Sequence, residues 1–225
     1  MDRHAGAADL GGEGRAVNHP EILPESQMAC LRRLAPAATD LGFYLAGGTA
    51  VALSLGHRQS VDFDWFTPRF PGRPVDLAES LALRDIALTP TALAAETVHG
   101  HIGGVKVSFL EFRSPLLEPL VDWPEVGCRR ASIADLAAMK LLAVTQRGSR
   151  KDFVDVLAMS RSMSLDRMLE CYRRRFGVTD TARVLAGLCF FDDAEAEPMP
   201  KMLVPLDWET VKRELRALVR SVAGS

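Results

Sequence analysis

Residues 47–64 read GGTAVALSLGHRQSVDFD. Two glycines precede a short apolar run, and Arg58, Ser60 and the carboxylates Asp62 and Asp64 follow it. Side chains alternate faces along a strand. Ser60, Asp62 and Asp64 are therefore expected on one face, with Val61, Phe63 and Trp65 turned to the core. Carboxylates at that spacing stand roughly 6–7 Å apart and can share a divalent cation, Mg²⁺ or Mn²⁺, whose remaining positions go to phosphate oxygens and water. Gly47 and Gly48 can bring bare backbone close to a ligand. The amides that open the following helix at Thr49 suit an anion. Arg58 and His57 add cationic donors, and Ser60 can hold a terminal phosphate. Each feature alone has a plain structural explanation: a solvated sheet face, a turn, a helix cap. In this order and spacing they converge on a metal-bound polyphosphate.

The elements that position these residues follow from patterning. A helix is expected from Glu21 to Gly42, with Pro36 as a possible break. FYLAGG reads as a strand ending in glycines, TAVALSLG as a two-turn helix stopped by Gly56, and SVDFDWF as a strand. After the loop PRFPGRP, VDLAESLALRD reads as a helix, and ETVHGHIGGVKVSFLEF as a hairpin turning at Gly103-Gly104. Beyond residue 128 the chain turns helical. Helices begin at Ser132 and Ser149, each with an aspartate three residues on, at Ser164 and at Thr179-Asp180, and a final amphipathic one is capped by Asp207. The expected organisation is a leader over residues 1–19, mobile because it is rich in Gly, Ala and charge, a mixed α/β unit over 20–128 and a helical unit over 129–225.

Composition bounds the partners. The 225 residues are 48% hydrophobic with a formal net charge of −2, which gives no global field for bulk nucleic-acid binding. No apolar run reaches the roughly 18 residues of a membrane span, and the first residues lack a signal-peptide core. Cys30, Cys128, Cys171 and Cys189 form no CxxC pair and read as reduced thiols of a cytoplasmic protein.

GGTAVALSLGHRQSVDFD resembles the first motif of the nucleotidyltransferase AbiEii/AbiGii toxin family: GG-T, a small helix, then an H/R-x-S-x-D-x-D strand. SIADLAAMKLLAVTQRGSRKDFVDVLAM resembles its later motif through Lys140, Arg147, Ser149, Lys151, Asp152 and Asp155, and FFDDAEAEPMPKML is similar to the ending of short members. The resemblance implies an α+β polymerase-β-like nucleotidyltransferase fold, a small mixed sheet flanked by helices, followed by a C-terminal helical bundle. It implies transfer of a nucleoside monophosphate from an NTP to a hydroxyl, with an RNA or tRNA acceptor and a cognate antitoxin as possible partners. In that scheme Asp62 and Asp64 bind the metal, and Gly47, Gly48, Thr49, Arg58 and Ser60 hold phosphates. Lys140 or Lys151 holds nucleotide phosphates, Asp155 contacts the nucleotide or orients a lysine, and Asp152 stands with the nucleotide-binding residues.

Such folds usually carry a third metal carboxylate on a neighbouring strand. In GVKVSFLEF the cleft-facing positions are Lys106, Ser108 and Leu110, so Glu111 is the only candidate and needs a bulge to reach the others. Without it, a nucleotide-binding protein acting through a partner is the alternative, and a metal-dependent phosphohydrolase is a weaker third.

Overall fold

The computed structural model describes residues 18–224. The expected leader lies outside them up to residue 17; Asn18 and His19 are held in place, His19 N–H donating to Leu53 O at 2.9 Å and Asn18 Oδ1 accepting from Arg130 Nε at 3.1 Å.

The first helix is shorter than the sequence suggests. A 3₁₀ turn over Pro20–Ile22 precedes α1 (Glu25–Asp40), and Pro36 sits inside α1 without ending it. Strand β1 (Tyr44–Ala46) runs directly into α2 (Gly47–Leu55), which Gly56 stops at φ 65°. Then come β2 (Phe63–Thr67), α3 (Pro74–Ala82), β3 (Thr89–Ala94), β4 (Thr97–Ile102), β5 (Val105–Glu111), β6 (Val121–Trp123) and β7 (Cys128–Arg130). The helical part is α4 (Ile133–Gln146), α5 (Arg150–Met159), α6 (Leu165–Phe176), α7 (Ala182–Gly187) and α8 (Trp208–Ala223). No helix among the described residues is long and apolar enough to cross a membrane.

The strands form one seven-stranded mixed sheet in the order β3-β4-β5-β2-β1-β7-β6. β2 pairs antiparallel with β1 and parallel with β5. The β4–β5 hairpin turns at Gly103 and Gly104, φ 57° and 80°, as a two-residue turn requires. That turn fixes the register: Ile102 faces Val105, and His99 therefore faces Ser108. Phe63, Trp65, Val98, Val107 and Phe109 are completely buried on one face of the sheet, where Phe43 meets Phe109 edge-on at 5.1 Å. Val61 departs from the expected alternation: β2 begins at Phe63, so Val61 precedes the strand and is 48% exposed. The sheet also reaches further along the chain than expected, because β7 pairs parallel with β1 through Leu45 and Arg130.

A buried ion pair joins two helices of the helical part and anchors the loop between β5 and β6. Asp135, in the first turn of α4, pairs with Arg175 of α6, and both side chains are fully buried. Asp135 Oδ1 also accepts from Leu117 N–H at 2.8 Å. Its Oδ2 accepts from Glu118 N–H at 3.3 Å and from Ser132 Oγ at 2.7 Å. Ser132 in turn accepts from Asp135 N–H, so the cap and the ion pair are one unit. Asp135→Ala strands a buried guanidinium and two amides, and the expected loss is about 3–5 kcal/mol. Urea denaturation measures it; a loss below about 1 kcal/mol contradicts the assignment.

Candidate active site

A cleft of about 720 Å³ opens between the β2–β5 face of the sheet and α4. Gly47, Gly48, Thr49, Arg58, Ser60, Asp62, Asp64, Lys140 and Lys151 all line it. These nine residues thus meet in one cavity, whereas His57, Glu111, Asp152 and Asp155 do not line it.

Local geometry explains the glycines. Gly47 has φ 64°, and a Cβ there would lie 2.5 Å from Asp64 Oδ2. At Gly48 a Cβ would meet Arg58 Nη2 at 2.7 Å. The Asp64 carboxylate is therefore packed against bare backbone at the helix start. Thr49 joins the same turn to the loop ahead of β2: its Oγ1 lies 2.7 Å from Ser60 Oγ and is hydrogen-bonded to the Asp62 carbonyl.

Behind this wall lies a cluster of buried charges. Arg58 grips Asp155 with two parallel bonds, Nε to Oδ1 at 2.7 Å and Nη2 to Oδ2 at 2.8 Å. Lys140 Nζ stands between Asp152 Oδ1, at 2.8 Å, and Asp155 Oδ2, at 2.6 Å. His57 Nε2 is 2.8 Å from Asp155 Oδ1. Arg147 Nε and Ser149 Oγ donate to Asp152 Oδ2 at 2.8 and 2.6 Å. Burial disfavours ionised Asp152 and Asp155, but the charge of Lys140, joined by Arg147 at one and Arg58 at the other, holds both carboxyls far below the ordinary aspartate range. Burial likewise works against charged Lys140, yet Asp155 and Asp152 hold its pKa above the usual lysine value. The ammonium is permanent at neutral pH and cannot serve as a base.

Three expectations need correction. Asp152, expected among the nucleotide-binding residues, is fully buried outside the cleft and holds Lys140 and Arg147, while Asp155, also buried, takes the second of its two expected roles and orients Lys140 together with Arg58. His57 braces Asp155 from a buried position and adds no donor on the ligand side. Glu111 is not brought to Asp62 and Asp64. It follows strict alternation, pairs with core-facing Thr67, and its carboxylate accepts from Phe70 N–H at 2.8 Å and pairs with Arg113. Among the described residues no group of three or more His, Cys, Asp or Glu side chains could hold a metal.

The cleft also contains residues the motif left out. His99, Lys106 and Lys201 line it. Lys201 arrives because the strap after α7 crosses the Arg58 turn: Gln59 N–H donates to Lys201 O at 2.8 Å and Leu203 N–H to His57 O at 3.0 Å. The exposed Lys106, Arg147, Lys151 and Lys201 surround the mouth. His99 was accessible to a register count from the Gly103-Gly104 turn; Lys201 had no local signal.

The sequence profile of the family described as "Nucleotidyl transferase AbiEii toxin, Type IV TA system" matches residues 29–222. A protein of Aquifex aeolicus (strain VF5), described as uncharacterized, is 33% identical over 180 residues, spanning 78% of this chain and 86% of its own. Among solved structures, MenT4, a nucleotidyltransferase toxin of Mycobacterium tuberculosis H37Rv, superposes with a TM-score of 0.57 at 15% identity, over 87% of this chain and 82% of its own. The antibiotic-resistance factor ANT(2'')-Ia gives 0.50 at 15% identity, over 68% and 93%. At such identities the two structures speak to the fold.

The carboxylate cluster carries a pH signature. Asp152 and Asp155 release their protons more readily folded than unfolded, so the stability they lend is complete above the unfolded value of about 3.9 and drains away as pH falls toward their lower folded values. Asp155→Asn is expected to lose about 3–5 kcal/mol at pH 7 and to show a shallower fall on acidification below about pH 4. Urea midpoints against pH report both; an unchanged slope contradicts the cluster's role.

Proposed function

The chain belongs to the AbiEii nucleotidyltransferase toxin family, and on that premise we propose that it moves a nucleoside monophosphate from an NTP to a hydroxyl of RNA, with a divalent cation between Asp62 and Asp64, in the cytoplasm and under control of a cognate antitoxin. The observation that carries this reading is the meeting of both carboxylates, the bare Gly47-Gly48 turn and the exposed Lys151 in one cleft. Two hard oxygen donors suit Mg²⁺ or Mn²⁺, which commonly take one or two carboxylates and complete their shell with phosphate oxygens and water. When bound, such an ion neutralises phosphate charge and aligns the triphosphate.

The chain's own groups do the rest. The α2 amides and Lys151 receive the β and γ phosphates. Lys140 and Arg58 are already neutralised by Asp155 and Asp152, so they give the wall its shape and position Gly48 instead of supplying free charge. The acceptor comes from the side of β4 and β5. Lys106, Arg147 and Lys201 at the mouth suit a phosphate backbone, which favours RNA over a small neutral alcohol.

A second reading, nucleotide binding with little transfer, is favoured by one observation: Glu111 is engaged elsewhere. Incubation with Mg²⁺, α-labelled NTPs and total tRNA separates the two. Label on RNA supports transfer; saturable NTP binding without product supports the binder. Asp62→Asn and Asp64→Asn are each expected to reduce labelling at least about 100-fold. Full labelling by either variant contradicts the assignment.

A further inference from the structure

We propose that His99, steadied by Ser108, takes the proton of the attacking hydroxyl, filling the place in the cleft where Glu111 is not. The inference rests on reading the cleft as the transfer site.

The register puts three residues in a row across the sheet. Asp64 of β2 pairs with Ser108 of β5, and Ser108 pairs with His99 of β4. Gly103 and Gly104 set that register, and alternation puts both partners on the cleft face; both line the cavity. His99 does not simply stand on its own strand. Its Nδ1 lies 3.0 Å from Ser108 Oγ, so the imidazole is tied to the β5 residue that pairs with Asp64. In the tautomer whose Nδ1–H donates to Ser108, Nε2 keeps its lone pair.

Elimination points the same way. Among the described residues, the carboxylate and imidazole side chains lining the cleft are Asp62, Asp64 and His99. The two carboxylates are committed to the cation in this reading. Lys140 is held protonated by two buried aspartates. Asp155 already receives bonds from Arg58, Lys140 and His57 and lies outside the cavity. Glu111 is turned to Phe70 and Arg113. An imidazole is a common general base and needs no third carboxylate.

The step balances simply. The acceptor oxygen forms a bond to the α-phosphorus, and the bond from that phosphorus to the oxygen bridging toward the β-phosphate breaks. Pyrophosphate leaves with the electron pair. The hydroxyl proton passes to His99 Nε2, and the imidazolium then releases it to water. When water replaces the acceptor, the same step yields NMP and pyrophosphate.

The test uses the full chain with Mg²⁺ and α-labelled NTPs, with and without total tRNA. His99→Ala is expected to slow transfer about 10²- to 10⁴-fold while NTP affinity stays within about twofold, which also shows that the variant is folded. Added imidazole is expected to restore part of the rate, and a series of substituted imidazoles to give rates that rise with their basicity. Ser108→Ala, which leaves the ring unsteadied, is expected to cost less than His99→Ala. Transfer slowed less than about threefold in His99→Ala overturns the proposal. So does a large loss that no imidazole restores, which would make His99 an acceptor-holding residue. If the wild-type chain labels no RNA, the proposed acceptor fails by itself. Hydrolysis of the labelled NTP to NMP then carries the same His99 comparison, and its insensitivity to His99→Ala overturns the base.

Discussion

Lys140, one ammonium sealed between two aspartates, holds the active cleft in shape. Its partners Asp152 and Asp155 come from α5, and Asp155 also grips Arg58 from the turn after α2. The bonds thus join the turn after α2 to α4 and α5 at one buried point. A buried ion pair adds little net stability compared with apolar packing, but removing one member is costly, because the remaining charges are stranded. What the cluster supplies is position. Gly48 has no room for a side chain because Arg58 Nη2 is fixed beside it. Arg58 is fixed because Asp155 accepts both of its nitrogens.

This arrangement divides the cations of the site into two kinds. Lys140 and Arg58 are compensated and nearly inaccessible, so their charge is spent inside the protein. Lys106, Lys151 and Lys201 are exposed around the opening, and Arg147 serves both sides, pairing with Asp152 while 60% of its side chain remains exposed. In the proposed reaction the triphosphate would rest on exposed lysines, the α2 amides and a cation. That division suits an enzyme that must release pyrophosphate: a ligand held by deeply buried cations would leave slowly.

Much of this was legible in the residues, and the exceptions have physical reasons. The glycines, the two carboxylates and the hairpin are local signals. Glu111 was readable too: strict alternation sends it to the core side, and the strand has no bulge to reverse that. Asp152 and Asp155 look like the acidic first turn of an exposed helix. The packing of α4 and of the α2 turn against α5 buries them, and the α2 turn lies far from α5 in sequence. Strand β3 escaped notice because it is an edge strand with every residue exposed and a proline near its start, so it has no alternation to detect. The three-residue strands β6 and β7 are defined by pairing partners, not by composition. Lys201 reaches the cleft because the strap around it borrows hydrogen bonds from the Arg58 turn.

The claim at the centre is that Asp62 and Asp64 share a cation with a triphosphate resting on the Gly47-Gly48 turn. A crystal structure with Mg²⁺ and a non-hydrolysable NTP analogue tests it most directly. The account predicts the ion bridging both carboxylates and at least one phosphate oxygen, with Lys151 on the terminal phosphates. An analogue seated in the cleft with no ion at either carboxylate, or a triphosphate bound elsewhere on the molecule, contradicts it.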